Sequence, residues 1–151
     1  MKLSSDILIK NKKAYFEYHI LDKYIAGIRL LGTEIKSIRE GKATINDSFC
    51  SFFDDGLYIR NMHIAEYSHG SFYNHEAKRD RKLLLTKREL KKLRTKGDEK
   101  GYTIVPLKVF ISKRGFAKLE LALAQGKKDF DKRNTIKERD SKRELERVLK
   151  R

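Results

Sequence analysis

A single cysteine, Cys50, leaves this chain without an internal disulfide. It also excludes a zinc site built from several cysteines. One thiol fits a reducing compartment, and a small buried hydrophobe is its default role. No run of about 18 apolar residues occurs, so no segment is expected to span a membrane. Residues 1–13 lack a long apolar stretch, so no secretory signal is expected there. There is no phosphate-binding glycine loop and no G-x-S-x-G elbow. Proline occurs once and tryptophan not at all. These absences point to a cytoplasmic protein without the common catalytic motifs.

What the chain has in excess is positive charge. Lys and Arg number 36 against 21 Asp and Glu, a net of +15 in 151 residues. Charged residues make up 38% of the chain, against about 25% in an ordinary globular domain. An excess of one sign favours a polyanion as partner, and nucleic acid leads among polyanions.

The length suits one domain with a real core. Residues 1–12 read as a mobile leader. Strands are expected from Ala14 to Ile20 and from Tyr24 to Leu31, the latter with Ala26, Ile28 and Leu30 on one face. Gly32 to Gly41 reads as a short helix capped by Thr33. Ile35 and Ile38 lie on its inner face, Lys36 and Arg39 on its outer face, and Gly41 is its stop. Ser48 to Phe53 and Leu57 to Ile64 read as a hairpin turning at Asp54-Asp55-Gly56. Thr86-Lys87-Arg88-Glu89 is a capping box, so a helix follows with Leu90 and Leu93 buried and an end near Gly97.

Tyr102 to Ser112 and Phe116 to Ala124 alternate most cleanly. Val105, Leu107, Val109 and Ile111 share one face of the first. Leu119, Leu121 and Leu123 share one face of the second. Pro106 marks an edge or a bulge. The expected fold is mainly β: a small closed antiparallel OB-type barrel of about six strands, two or three short helices and a basic tail. The RNA-binding domain is expected over 13–125.

Residues 126–151 hold eleven Lys/Arg, six Asp/Glu and few apolar residues. That composition predicts disorder in isolation. It also carries helix instructions, including the capping box Thr135-Ile136-Lys137-Glu138 and the i,i+4 pair Glu138 with Lys142. The tail reads as a helix awaiting a partner.

Three clusters could carry chemistry. Lys78 to Lys96 holds ten cations and two acids, and phosphate contacts need such density. Arg79, Arg81 and Lys82 beside Leu83-Leu84-Leu85 read as RNA contacts. Lys87 to Lys96 reads equally well as a solvated helix face. Tyr15, Phe16, Tyr18 and His19 follow Lys10, Lys12 and Lys13, and unpaired bases stack on aromatics. One alternating set of these aromatics must face inward. The third cluster is Gly126 to Arg133, where Phe130 stands among Lys127, Lys128, Asp131, Lys132 and Arg133. His63, His69 and His75 match no tight metal motif, so neither metal nor cofactor is expected.

Six landmarks stand in order: Asn11-Lys12-Lys13-Ala14, Gly32 to Arg39, Gly41 to Phe49, Arg79 to Leu85, Gly101-Tyr102-Thr103, and Gly126-Lys127-Lys128 with Asp131-Lys132-Arg133. Together they resemble the small protein B family, the tmRNA-binding proteins of trans-translation. The resemblance runs from Asn11 to about Arg139. It implies an OB-type barrel that clamps the tRNA-like end of tmRNA. It implies a tail that enters the empty mRNA channel of a stalled ribosome, near the small-subunit decoding region, and becomes helical there. No catalysis is implied, and a monomer is expected.

The resemblance places Lys36, Arg39, Lys42, Leu85 and Lys118 on the RNA face. To these are added Asn11, Lys12, Lys13, Tyr18, Arg79, Arg81 and Lys82. It places Lys127, Lys128, Lys132 and Arg133 toward the ribosome, with Phe130 and Asp131 among them. The chain departs from the family pattern at Ile25, Phe16 and Phe130. A structural ribosomal protein or a general RNA-binding protein is the alternative.

Overall fold

In the computed structural model, residues 7–53, 55–70 and 74–149 are described, with only the backbone for 129–131. The elements run β1 Leu8–Lys10, α1 Ala14–Glu17, β2 Tyr18–Ile28, α2 Gly32–Arg39, β3 Ala43–Thr44, β4 Phe49–Phe53 and β5 Gly56–Arg60. Then follow β6 His63–Ile64, β7 Arg81–Leu84, α3 Lys87–Gly97, β8 Tyr102–Ile111, β9 Ala117–Gly126 and α4 Asp129–Leu149. The protein is mainly β. Six strands form a ring in the order β8-β4-β5-β7-β2-β9, closed by the pairing of β8 with β9. Every pairing in the ring is antiparallel.

Alternation fills the ring. Ala26 and Ile28 of β2, Leu57 and Ile59 of β5, and Leu119 and Leu121 of β9 point into one buried cluster. Ile38 of α2 and Leu93 of α3 join it, both wholly buried. Each of these Ile and Leu side chains contributes about 1.5–3 kcal/mol on burial.

Pro106 produces the bulge the sequence implied: the register of β8 against β9 shifts between Pro106 and Lys108. An extra residue inverts the faces of a strand. Val109 and Ile111 therefore face the ring interior, while Val105 and Leu107 turn outward into a second cluster with Ala14, Ala122 and Ala124. The expectation of one shared face for Val105, Leu107, Val109 and Ile111 is corrected by this bulge.

The bulge also explains the start of the chain. Asn11 donates its side-chain amide to the Pro106 carbonyl at 2.9 Å and its backbone N–H to the Leu107 carbonyl at 2.8 Å. Anchored there, the chain turns through α1 and buries Ala14 over the outer face of β8 and β9. The expected strand from Ala14 to Ile20 therefore begins only at Tyr18. It runs on without a break into the second expected strand and ends at Ile28, short of Leu31, with a bulge between Ile20 and Asp22. Within the expected leader, Ile7 is buried and Leu8 to Lys10 pair with β8, so these residues are part of the fold, while 1–6 lie outside the described residues.

Helix α3 starts as its capping box dictates. Glu89 N–H donates to Thr86 Oγ1 at 3.2 Å, and Thr86 N–H donates to Glu89 Oε1 at 3.2 Å. Thr86→Ala should lower stability by about 1 kcal/mol. The urea midpoint would fall with an unchanged slope. At α2 the cap differs from expectation: Glu34 Oε1 accepts from Leu31 N–H at 2.8 Å, while Thr33 instead bonds the His75 ring at 2.8 Å.

Candidate nucleic-acid interface

Helix α2 is held by an internal ion cluster. The Glu34 carboxylate is fully buried and accepts from Arg79 Nη2 at 2.6 Å and from Arg81 Nε. Arg81 is itself fully buried, and its remaining donors reach the carbonyls of Met62 at 2.6 Å, Ala77 at 3.1 Å and Glu76 at 3.3 Å. Arg81 is therefore not an RNA contact, because its donors are turned inward and occupied. Its place in a charged run hid this, because sequence cannot show that Glu34 lies opposite. Arg79 is partly accessible but spent on Glu34 and the Arg29 carbonyl. Asn11 is likewise buried at the bulge, which removes it from the RNA face.

On the outside of the ring, β2 passes between β7 and β9. Gly27 lies opposite Leu84 on one side and Lys118 on the other. A Cβ at Gly27 would stand 3.3 Å from Leu84 Cβ. Its absence leaves a trough in the sheet surface, the usual meaning of a strand glycine where another backbone approaches. One arm of the trough runs past Lys118 to Arg39, Arg114 and Phe116. The other runs past Leu84 to Lys82 and Leu85. Its floor is apolar: Phe116 is 63% exposed and Leu84 51%. Cations on the rim and bare apolar surface on the floor suit phosphates and unstacked bases together.

The rim is positioned by short contacts. Arg39 Nη2 donates to the Gly115 carbonyl at 3.0 Å, in the β8–β9 turn where Gly115 has a φ of 87°. Arg39 also borders a second depression with Lys42 and His69. Lys36 sits over the Tyr67 ring at 5.5 Å, and Tyr67 meets His69 edge-on at 5.5 Å. At the far end Lys82 pairs with Asp55 at 3.3 Å. The Tyr58 hydroxyl and then Lys82 hold the Asp55 carboxyl below its usual range. Arg39, Lys82, Leu85 and Lys118 thus line the trough, Lys42 shares the second depression with Arg39, and Lys36 stands over Tyr67. Gly27, Arg114, Phe116 and Tyr67 were missed in the sequence. The only signals were an isolated strand glycine and an Arg-Gly turn.

Lys12, Lys13, Tyr18 and the tail cations gather elsewhere. Strand β2 carries Tyr18 at one end and the trough at the other, on the order of 30 Å apart. Lys12 and Lys13 are exposed, whereas Tyr18 packs against the outer cluster. Lys127 is a strut: its Nζ donates to the Tyr15 carbonyl at 3.1 Å and to Thr135 Oγ1 at 2.7 Å. Lys128 and Arg133 are exposed and Lys132 half-buried. The side chains of Phe130 and Asp131 lie outside the described residues.

Among the described residues, no group of three or more His, Cys, Asp or Glu is placed to hold a metal ion. His75 is buried between the Thr33 hydroxyl and the Ile64 carbonyl. Cys50 is buried in the core, and burial pushes its thiol pKa up, away from nucleophilic use. No described helix is long and apolar enough to cross a membrane.

Comparison with known proteins shows the family. The family model described as SmpB protein matches residues 8–151. An SsrA-binding protein of Phocaeicola vulgatus is 56% identical over 145 residues, covering 96% of this chain and 97% of that protein. One from Flavobacterium psychrophilum is 58% identical over 142 residues, covering 94% and 95%. One from Christiangramia forsetii is 55% identical over 148 residues, covering 98% and 94%. A solved structure described as "tmRNA-SmpB: a journey to the center of the bacterial ribosome" superimposes with a TM-score of 0.68 at 48% identity, over 82% of this chain and 86% of that one. The chain belongs to the SmpB protein family.

Proposed function

We propose that this chain binds the tRNA-like domain of tmRNA and delivers it to stalled ribosomes for rescue. The observation that carries the reading is the trough at Gly27, rimmed by Arg39, Lys82 and Lys118 on a chain whose relatives are named SsrA-binding proteins. We read the six-strand ring as an OB-type barrel, whose outer face commonly receives oligonucleotides. The protein makes and breaks no bond; it positions RNA, in the cytoplasm. The tail is the second half of the device. Helix α4 is about 30 Å long, its outer apolar residues Leu145, Val148 and Leu149 are exposed, and its cations suit an RNA-walled channel. It stabilises on entry into the empty mRNA channel near the decoding region. Lys12 and Lys13, with Lys128, Lys132 and Arg133, form the ribosome-side surface.

The double variant Arg39→Glu/Lys118→Glu should weaken binding of the isolated tRNA-like domain on the order of a hundredfold. The slope of log affinity against log salt should become shallower by about two. Filter binding at several salt concentrations measures both. Unchanged affinity and slope would show that RNA binds elsewhere.

A further inference from the structure

Helix α3 carries six cations and one acid. Leu90 and Leu93 turn inward. Arg88, Lys91, Lys92 and Lys96 fall on the opposite side, with Thr95 among them, around one shallow groove. Their spacing is i, i+3, i+4 and i+8, so like charges stack along the helix. Like charges at those spacings oppose helix formation. The one acid of the helix, Glu89, is spent on the Thr86 cap. Arg94 lies to one flank, over the Phe52 ring at 4.7 Å. Lys96 approaches Asp22 at 3.8 Å, with both side chains half exposed. Among the described residues, no ion pair is found for Arg88, Lys91 or Lys92.

The stripe has no exposed aromatic or apolar residue, which a protein interface needs at its centre. It spans about 12 Å, enough for the phosphates of a few successive nucleotides. The helix is also continuous with the proposed RNA trough, which is bordered by Thr86, Glu89 and Leu90 at its first turn.

We propose that the outward face of α3, with Arg88, Lys91, Lys92 and Lys96, is a second RNA-binding surface that grips the phosphate backbone of the same tmRNA, beyond the tRNA-like portion. The proposal rests on the tmRNA reading above. Lysines act there as point charges, so the grip is independent of sequence and lengthens the RNA footprint around the edge of the ring.

The test compares full-length chains, wild type and Lys91→Glu/Lys92→Glu, on full-length tmRNA, on its isolated tRNA-like domain and on ribosomes without tmRNA. For full-length tmRNA the affinity should fall at least about fivefold and the salt slope should drop by about two. Binding to the isolated domain and to ribosomes should stay within about twofold. Lys91→Gln/Lys92→Gln, which adds no acid, should show the same pattern more weakly. Thermal melting confirms the fold, since these side chains point away from the core. Unchanged binding of full-length tmRNA overturns the proposal. So does an equal loss on the isolated domain, or a loss confined to ribosomes, which would assign the stripe to ribosomal RNA. Arg39→Glu/Lys118→Glu, in contrast, acts on the isolated domain, so the two readings fail separately.

Discussion

Glu34→Gln should destabilise the chain by about 3–5 kcal/mol, because it leaves the Arg81 guanidinium buried without a counter-charge. Arg81 and Glu34 are both fully buried, so water cannot compensate. The α2 cap survives the change, because the glutamine amide oxygen at that position still accepts from Leu31 N–H, so the loss comes from the unpaired arginine. For a chain of this length the melting temperature should drop on the order of 10 °C. Arg79→Gln should cost less, because its side chain is 32% exposed and solvent replaces part of the lost contact. The effect has a pH signature. Burial raises the Glu34 pKa, but the hydrogen bonds from Arg79, Leu31 and Arg81 outweigh it and hold the carboxyl below its ordinary value. A depressed carboxylate contributes its full stability above the unfolded value of about 4.3. That contribution is lost as pH falls through the folded value. Wild type should therefore lose stability steeply below about pH 4.3, and Glu34→Gln should show a flatter acid limb. Denaturant midpoints between pH 6 and pH 3 measure this. Equal acid limbs would show that Glu34 is not the titrating group.

Removing the tail should abolish rescue while sparing RNA binding. The cut belongs after Lys128. Strand β9 continues to Gly126, paired with Tyr18, and Lys127 N–H bonds the Glu17 carbonyl at 2.8 Å. A cut after Ala124 would strip those contacts and damage the ring. A chain of residues 1–128 should bind tmRNA within about twofold of wild type, since the trough lies on the order of 30 Å away. In a reconstituted translation system it should leave tagging of stalled chains at background. Full tagging by 1–128 would show that barrel and tail do not divide the work. The isolated tail should show marginal helix by circular dichroism, as expected of a short helix without tertiary contacts.

The β4–β5 hairpin and strands β8 and β9 were legible because alternation and turn chemistry are local. In contrast, β7 was not read as a strand, and the expected strand over 57–64 divides into β5 and β6. Thr86 with Glu89, Pro106, and Leu119 with Leu121 and Leu123 all behaved as local rules require. The failures came from contacts distant in sequence. Ala14 reads as strand beside Tyr15 and Phe16, yet Asn11 finds two carbonyls at the Pro106 bulge and the chain turns. Arg81 reads as surface beside Arg79 and Lys82, yet a carboxylate 47 residues earlier draws it inside. Thr33 reads as a cap, yet Glu34 takes that role and Thr33 holds His75. Arg39 and Lys118 entered the proposed RNA face only through family resemblance. The trough between them depends on the register that sets Gly27 against both Leu84 and Lys118.

The central claim is that the trough recognises the tRNA-like domain of tmRNA and not RNA in general. It is tested most directly by a competition gel shift with the isolated tRNA-like domain and an ordinary elongator tRNA as competitor, at two salt concentrations. Binding that survives excess elongator tRNA at the higher salt, and is lost in Arg39→Glu/Lys118→Glu, is the expected result. Binding that is displaced equally by either RNA and vanishes with salt would contradict the claim, leaving a basic protein with no tmRNA-specific site.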